Sequence, residues 1–234
     1  NKDLASHAPM NLVIFSYAAE HISRILRTLR MPGRHGMLVG IVGSGRQSLT
    51  KLAAYISNRK CLQICERHHY KLEDWKADLK KVLWHAGIGQ KGTVFLINHT
   101  QLVHDEMYGD LDVFLRTGTT PGLFEDDELH AIYQQIIPFA RESGFTTEEI
   151  DDVETMLEFF FKGTRECVTV ILCFSPLGDG LRRTLHEYTG IASCCTIDWY
   201  EEWPIDALSA MAHKLFDGIT LDLQISEADR SKQD

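Results

Sequence analysis

The sequence predicts an α/β fold: a three-layer sandwich with a mostly parallel five-stranded sheet covered by helices on both faces. Three observations lead there. Short apolar runs alternate along the chain with longer segments whose apolar residues recur every three or four positions. A glycine-rich string, Gly40-Ile-Val-Gly-Ser-Gly-Arg-Gln-Ser48, lies where one such run meets one such segment. The 234 residues are 44% hydrophobic and 24% charged, which are ordinary globular values, and a chain of this length buries roughly 70–75% of its unfolded surface without a staple.

Phe15, Ala18, Ala19, Ile22, Ile25, Leu26 and Leu29 recur at helical spacing, so residues 11–31 read as an amphipathic helix that Pro32-Gly33 stops. Residues 37–42 are an apolar run ending in glycine and read as a buried strand. The helix over 48–57 turns Leu49, Leu52, Ala53 and Ile56 inward. A second strand is predicted over 61–65, a helix over 71–85, a third strand over 93–98 and a helix over 101–116. Residues 117–122, with Pro121, form a turn cluster. Helices follow at 126–142 and 146–162 with Gly144 between them. The fourth strand is 168–174, followed by a helix at 181–188 and a fifth strand at 192–197. Pro204 then opens a helix that runs to Phe216, since proline suits a first helical turn. The helical stretch 120–163 is longer than a simple crossover needs and reads as an insertion.

The net charge of −9 argues against a non-specific nucleic-acid role; Arg24, Arg27 and Arg30 make too short a basic cluster to reverse it. The apolar run at 168–174 is strand-sized, so no membrane span is expected. Residues 1–10 lack the order of a signal peptide. The six cysteines, at 61, 65, 167, 173, 194 and 195, sit mostly in apolar stretches and fit reduced thiols of a cytoplasmic protein. The abrupt start and the polar tail at 227–234 read as a piece cut from a longer chain.

Gly40 to Ser48, between a strand and a helix, is a P-loop. Its glycines let backbone N–H groups converge on phosphate oxygens, and the helix N-terminus adds a favourable dipole. Gly40, Val42, Gly43, Ser44, Gly45, Arg46, Gln47 and Ser48 are the nucleotide-binding candidates. Two positions depart from the usual pattern. Arg46 stands where lysine reaches the outer phosphates, and its planar fork differs from a compact ammonium. Gln47 stands where a serine or threonine touches magnesium, so it is the candidate metal contact. An active site of this kind also needs carboxylates at the end of a neighbouring strand. The strand Thr93-Val-Phe-Leu-Ile97 ends instead in Asn98 and His99. Asn98 is a poor magnesium partner, and His99 is an unusual base. Asp105 and Glu106 fall inside the next helix, on a solvated face.

The string Leu38-Val-Gly-Ile-Val-Gly-Ser-Gly-Arg-Gln-Ser-Leu-Thr-Lys-Leu-Ala-Ala54 resembles the P-loop of the fourth AAA+ module of dynein heavy chains. Thr120-Pro-Gly-Leu-Phe-Glu-Asp-Asp-Glu128 is similar to a further motif of that family, although Thr119 and Thr120 depart from its first half. Val170-Ile-Leu-Cys-Phe-Ser-Pro176 and Ile197-Asp-Trp-Tyr-Glu-Glu-Trp-Pro204 match as well, and their details look axonemal. The resemblance runs from about residue 11 to 218. It implies a P-loop NTPase of the AAA+ type, within a ring of six unequal modules that moves along microtubules. The partners it implies are the neighbouring modules of the same heavy chain, and the microtubule only through a stalk absent here. The location it implies is the ciliary or flagellar axoneme. It also implies a large P-loop subdomain over 1–203, and the first helix of the small subdomain with a truncated tail over 204–234.

Carried over residue by residue, the resemblance puts the degenerate Walker-B positions at Asn98 and His99 and the sensor position at Ser175. It puts the arginine-finger position at Cys194, and Leu12 and Val13 beside the adenine. It makes Gln47-Ser48 normal for this module. The expected cofactor is ATP or ADP, with magnesium as an optional companion. Zinc is not expected: strand periodicity explains Cys61 and Cys65, and no second ligand pair follows them and His68-His69. Cys194 and Cys195, read as strand neighbours, would face opposite ways. Arg182-Arg183, Trp199 and Trp203 read as a solvated face and as packing residues. The expected function is a regulatory or structural module that binds nucleotide and hydrolyses it weakly or not at all. The alternatives are an active ATPase in which His99 positions water, and a ring segment that binds nothing.

Overall fold

A computed structural model of the chain describes residues 15–64 and 70–216. They fall into two compact units. The larger is residues 18–202; the described residues of the smaller are 15–17 and 203–216.

Helix α1 (Ser16–Arg30), part of the larger unit from Ala18 onward, leads to strand β1 (His35–Val39), α2 (Arg46–Ile56), β2 (Lys60–Gln63), α3 (Leu72–Gly89) and β3 (Thr93–Asn98). A 3-10 turn at His99–Gln101 precedes α4 (Asp105–Thr117), α5 (Asp126–Glu142), α6 (Thr147–Asp151) and α7 (Val153–Cys167). Strand β4 (Val168–Phe174), α8 (Gly180–Glu187), α9 (Thr189–Cys194) and β5 (Cys195–Trp199) complete it. In the smaller unit, α10 (Ile205–Phe216) follows Trp203-Pro204, and Phe15 packs on Trp203 at 5.2 Å between ring centroids.

The sheet order is β2-β3-β4-β1-β5, and all four pairings are parallel. The expectation of a mostly parallel five-stranded sheet thus holds in its stronger form. Side chains alternate across the pleat. Met37, Val39, Phe95, Ile97, Val170, Leu172 and Phe174 enter one core with α3, α4, α5, α7 and α9. Leu38, Val94, Leu96 and Ile171 point the other way and are equally buried. On that face lie α1, whose Thr28 methyl would touch a Cβ placed on Gly36, and α2. Helices α5, α6 and α7 fall in the stretch read as an insertion; α5 and α7 extend the layer that α3 starts.

Strand β1 spans 35–39 rather than the expected 37–42, and α3 runs to 89 rather than 85. Three further boundaries differ from the sequence reading, each for a local reason. The helix expected over 146–162 is two helices, because Asp152 adopts an extended conformation and its carboxylate caps α7 through the N–H groups of Glu154 and Thr155. The helix expected from 101 starts at 105. Gln101 pins the preceding turn by accepting the Asn98 N–H at 2.8 Å and donating to the Ile64 carbonyl at 3.2 Å. The strand expected over 192–197 is displaced to 195–199, because residues 189–194 are helical and dock on α4. There the Asp112 carboxylate accepts the Ile191 N–H at 3.2 Å, and a Cβ on Gly190 would sit 2.6 Å from Asp112 Oδ1. Cys194 therefore ends a helix and Cys195 starts a strand, so the two are not strand neighbours. The five described cysteines are free, and burial pushes Cys61 up to about 11 and Cys173 and Cys195 up to about 12. Cys65, His68 and His69 lie outside the described residues.

His35, at the start of β1, accepts the Val170 N–H on Nδ1 at 3.1 Å and also bonds the backbone of Leu115. Burial lowers its pKa from 6.5 to about 4. A histidine held neutral in the fold and protonated in the unfolded chain stabilises most above pH 6.5, and loses that contribution as pH falls toward 4. The loss is about 3 kcal/mol in total. Urea unfolding free energies measured from pH 7 down to pH 4 should fall accordingly, and His35→Gln should flatten that decline. An unchanged slope in the variant would contradict this assignment.

Candidate functional site

The site is assembled at the carboxyl edge of the sheet, where β1, β3 and β4 end side by side. The chain leaves β1 at Val39, turns through residues 40–45 and enters α2 at Arg46. Gly43 and Gly45 have φ values of 87° and 86°, a left-handed conformation that side chains strain to adopt. Gly40 is needed for a different reason. A Cβ there would lie 2.6 Å from Tyr200 Cβ, because the Tyr200 N–H donates to the Val39 carbonyl at 2.7 Å and draws that residue against the loop.

The Gly40 N–H donates to the Phe174 carbonyl at 3.0 Å, which ties the loop to the end of β4. The first intrahelical bond of α2 runs from the Leu49 N–H to the Gly45 carbonyl at 2.9 Å. The amides of Arg46, Gln47 and Ser48 thus have no acceptor within the helix. The hydroxyl of Ser44 is buried in the loop with no hydrogen-bond partner. Val42 is 88% exposed, so its side chain packs on nothing in the loop.

Arg46 extends across the loop. One guanidinium nitrogen donates to the Phe174 carbonyl and another to the Ile41 carbonyl at 3.0 Å. Burial moves its pKa down from the usual arginine range, but not far enough to discharge a guanidinium. Asn98 and His99 lie at the end of β3, beside it. The His99 Nδ1 is 3.1 Å from Asn98 Oδ1 and 3.2 Å from the Cys173 carbonyl. Both neighbours are acceptors, so Nδ1 carries the proton and Nε2 is left with a bare lone pair. The ring stacks on Phe174 at 5.5 Å. Burial, and to a lesser degree the Arg46 charge, lower the His99 pKa, so the imidazole stays neutral.

Gln47 turns toward the end of β2. Its Oε1 accepts the Gln63 amide of β2 at 3.4 Å. Ser48 is half-buried one step further along α2. Ser175 follows β4 and caps its own turn, with its Oγ accepting the Leu177 N–H at 3.3 Å. The structure therefore brings together the 40–48 loop, Asn98, His99 and Ser175. It does not bring Cys194, which precedes the first residue of β5 and so lies at the opposite, amino edge of the sheet. Leu12 and Val13 lie outside the described residues. The Phe174 carbonyl, Tyr200 and Gln63 were missed by the sequence reading, because backbone acceptors and cross-strand neighbours leave no motif.

A parallel sheet in this order, with a glycine loop joining an internal strand to a helix, defines a P-loop domain of the AAA+ class. Within that class the chain belongs to the family described as "P-loop containing dynein motor region D4", which matches residues 10–232. It is 38% identical to dynein axonemal heavy chain 3 of Mus musculus over 93% of this chain and 5% of that protein. It is 37% identical to dynein axonemal heavy chain 6 of Homo sapiens, over 92% of this chain and 5% of that one. It is 36% identical to the dynein-1-beta heavy chain of the flagellar inner arm I1 complex of Chlamydomonas reinhardtii, over 89% of this chain and 4% of that protein. The chain thus spans about one twentieth of the relatives it matches. Among the described residues no helix is long and apolar enough to cross a membrane.

Proposed function

We propose that this chain is a regulatory, nucleotide-binding AAA+ module of a microtubule-based axonemal dynein, the fourth of its ring, holding ATP or ADP and hydrolysing it weakly or not at all. The observation that carries the reading is the pairing of an intact loop with a carboxylate-free strand end. Gly43 and Gly45 supply the loop conformation, the first amides of α2 point out of the helix, and Arg46 supplies a positive charge. A phosphate fits this donor set, and the buried Ser44 hydroxyl adds one more unmatched polar group. Residues 40 and 42–48 would hold the phosphates, with Leu12 and Val13 beside the base. Hydrolysis needs a group that holds a metal and one that polarises water, and Asn98 and His99 replace the carboxylates that perform both tasks. The names of the relatives support an axonemal setting. The neighbouring modules of the same heavy chain are then the direct partners and the microtubule an indirect one, with 204–234 beginning the small subdomain.

Calorimetric titration with ATP and ADP tests the binding, and Arg46→Ala should weaken it about 10–100-fold through loss of a charged hydrogen bond. A phosphate-release assay tests turnover. One observation favours a second reading: the bare Nε2 of a neutral His99 is an acceptor able to orient water. Turnover that disappears in His99→Ala would support that active-ATPase reading. No binding of either nucleotide would leave a purely structural segment.

A further inference from the structure

We infer that this site holds its nucleotide without a divalent cation. The inference rests on the nucleotide-binding reading above and concerns what accompanies the phosphates.

A P-loop ordinarily holds magnesium between the hydroxyl of the second helical residue and a carboxylate at the end of an adjacent strand. Magnesium is a hard ion that dehydrates reluctantly, requires oxygen ligands in near-octahedral geometry and is held by carboxylate charge. Neither protein ligand is here. The second helical residue is Gln47, whose amide oxygen is turned to Gln63 on β2, 3.4 Å away. The strand end is Asn98, whose amide oxygen accepts the His99 Nδ1–H at 3.1 Å. The next residue is a neutral imidazole, and a nitrogen donor suits softer metals. The nearest acidic residues along the chain, Asp105 and Glu106, are exposed in the first turn of α4, beyond the turn that Gln101 pins.

The arrangement also supplies a substitute. The Arg46 guanidinium already lies over the loop, anchored through the carbonyls of Phe174 and Ile41. Its field reaches His99, since it contributes to lowering that residue's pKa. A fork of N–H donors can neutralise phosphate oxygens bidentately. A divalent cation at the same place would meet this fixed positive charge with no carboxylate to offset it. On this inference Gln47, expected as a metal contact, would hold no metal.

The test is calorimetric titration of the 234-residue chain with ADP, once in EDTA and once in excess magnesium chloride. The dissociation constant should agree within about threefold, or be weaker with magnesium, because the ion must then be stripped from the nucleotide. An affinity at least about tenfold tighter with magnesium overturns the inference. Binding in neither buffer sinks the nucleotide reading itself, and this inference with it. A second arm restores the missing ligands. The double variant Gln47→Ser/Asn98→Asp should acquire a magnesium dependence of about tenfold or more. If it stays indifferent to magnesium while the parent binds ADP, these two residues are not what excludes the ion, and the inference fails.

Discussion

The double variant His21→Phe/Arg24→Met is expected to lose about 3–5 kcal/mol of unfolding free energy, and adding Asp198→Asn should return most of it. Asp198 is a buried carboxylate on β5. His21 Nδ1 lies 2.7 Å from one of its oxygens and Arg24 donates to the other at 2.8 Å, both from α1. Removing Asp198 alone should cost much less, because Arg24 is half exposed to water and keeps its solvation. Removing the two donors strands the carboxylate in a dry place. Phenylalanine keeps the ring that stacks on Tyr200 at 3.9 Å, and methionine keeps most of the arginine stem, so the loss isolates the charge. For a domain of this size the shift is about 10 °C in melting temperature. Urea unfolding of the parent, the double and the triple variant decides the matter. A triple variant as weak as the double would show that packing, not an unmatched carboxylate, sets the cost.

Phe160→Ala should destabilise by a similar amount, about 3–5 kcal/mol, and should also change what Gly87 tolerates. Phe160 on α7 is fully buried, and its ring lies against α3 where Gly87 offers no side chain. A Cβ on Gly87 would come within 2.3 Å of Phe160 Cε2 and 2.8 Å of the Thr164 methyl. Alanine favours a helix over glycine by about 1 kcal/mol, yet overpacking costs about 1–3 kcal/mol, so Gly87→Ala alone should destabilise. In the Phe160→Ala background the ring is gone, and the cost of Gly87→Ala should shrink by about 1 kcal/mol or more. The double-mutant cycle is read from denaturant midpoints at constant slope. Strictly additive costs would mean that α3 and α7 can move apart, and that their spacing is not fixed by this contact.

Elements whose formation depends on their own residues were legible in the sequence. Strand β4 and helix α5 occupy the residues expected of them: β4 is an apolar run buried on both faces, and α5 starts where the Glu128 carboxylate accepts the Glu125 N–H at 2.9 Å. The loop at 40–45 and the neutral strand end at Asn98 and His99 were equally visible, because glycines and missing charges are properties of the string. What was hidden depends on residues far away in sequence. The second half of α9, residues 192–194, reads as strand and becomes helix through Asp112 on α4. Gly40 reads as a phosphate glycine, but Tyr200 is what requires it. The anchors of Arg46 are backbone carbonyls, which every sequence possesses and none advertises.

The strand order has a consequence for how the chain reaches this state. Strand β1 is flanked only by β4 and β5, and its first residue bonds to Val170, 135 positions further along. A ribosome adding about 5–20 residues per second needs roughly 7–27 s to cover that interval. For all of that time β1 has its glycine loop and following helix but no neighbour to pair with, while β2 and β3 can already associate. Parallel pairings of such long range are slow to form and leave apolar edges open meanwhile. Biogenesis of this domain should therefore be most vulnerable before β4 emerges, with an apolar, unpaired β1 as the segment that a chaperone would most need to cover.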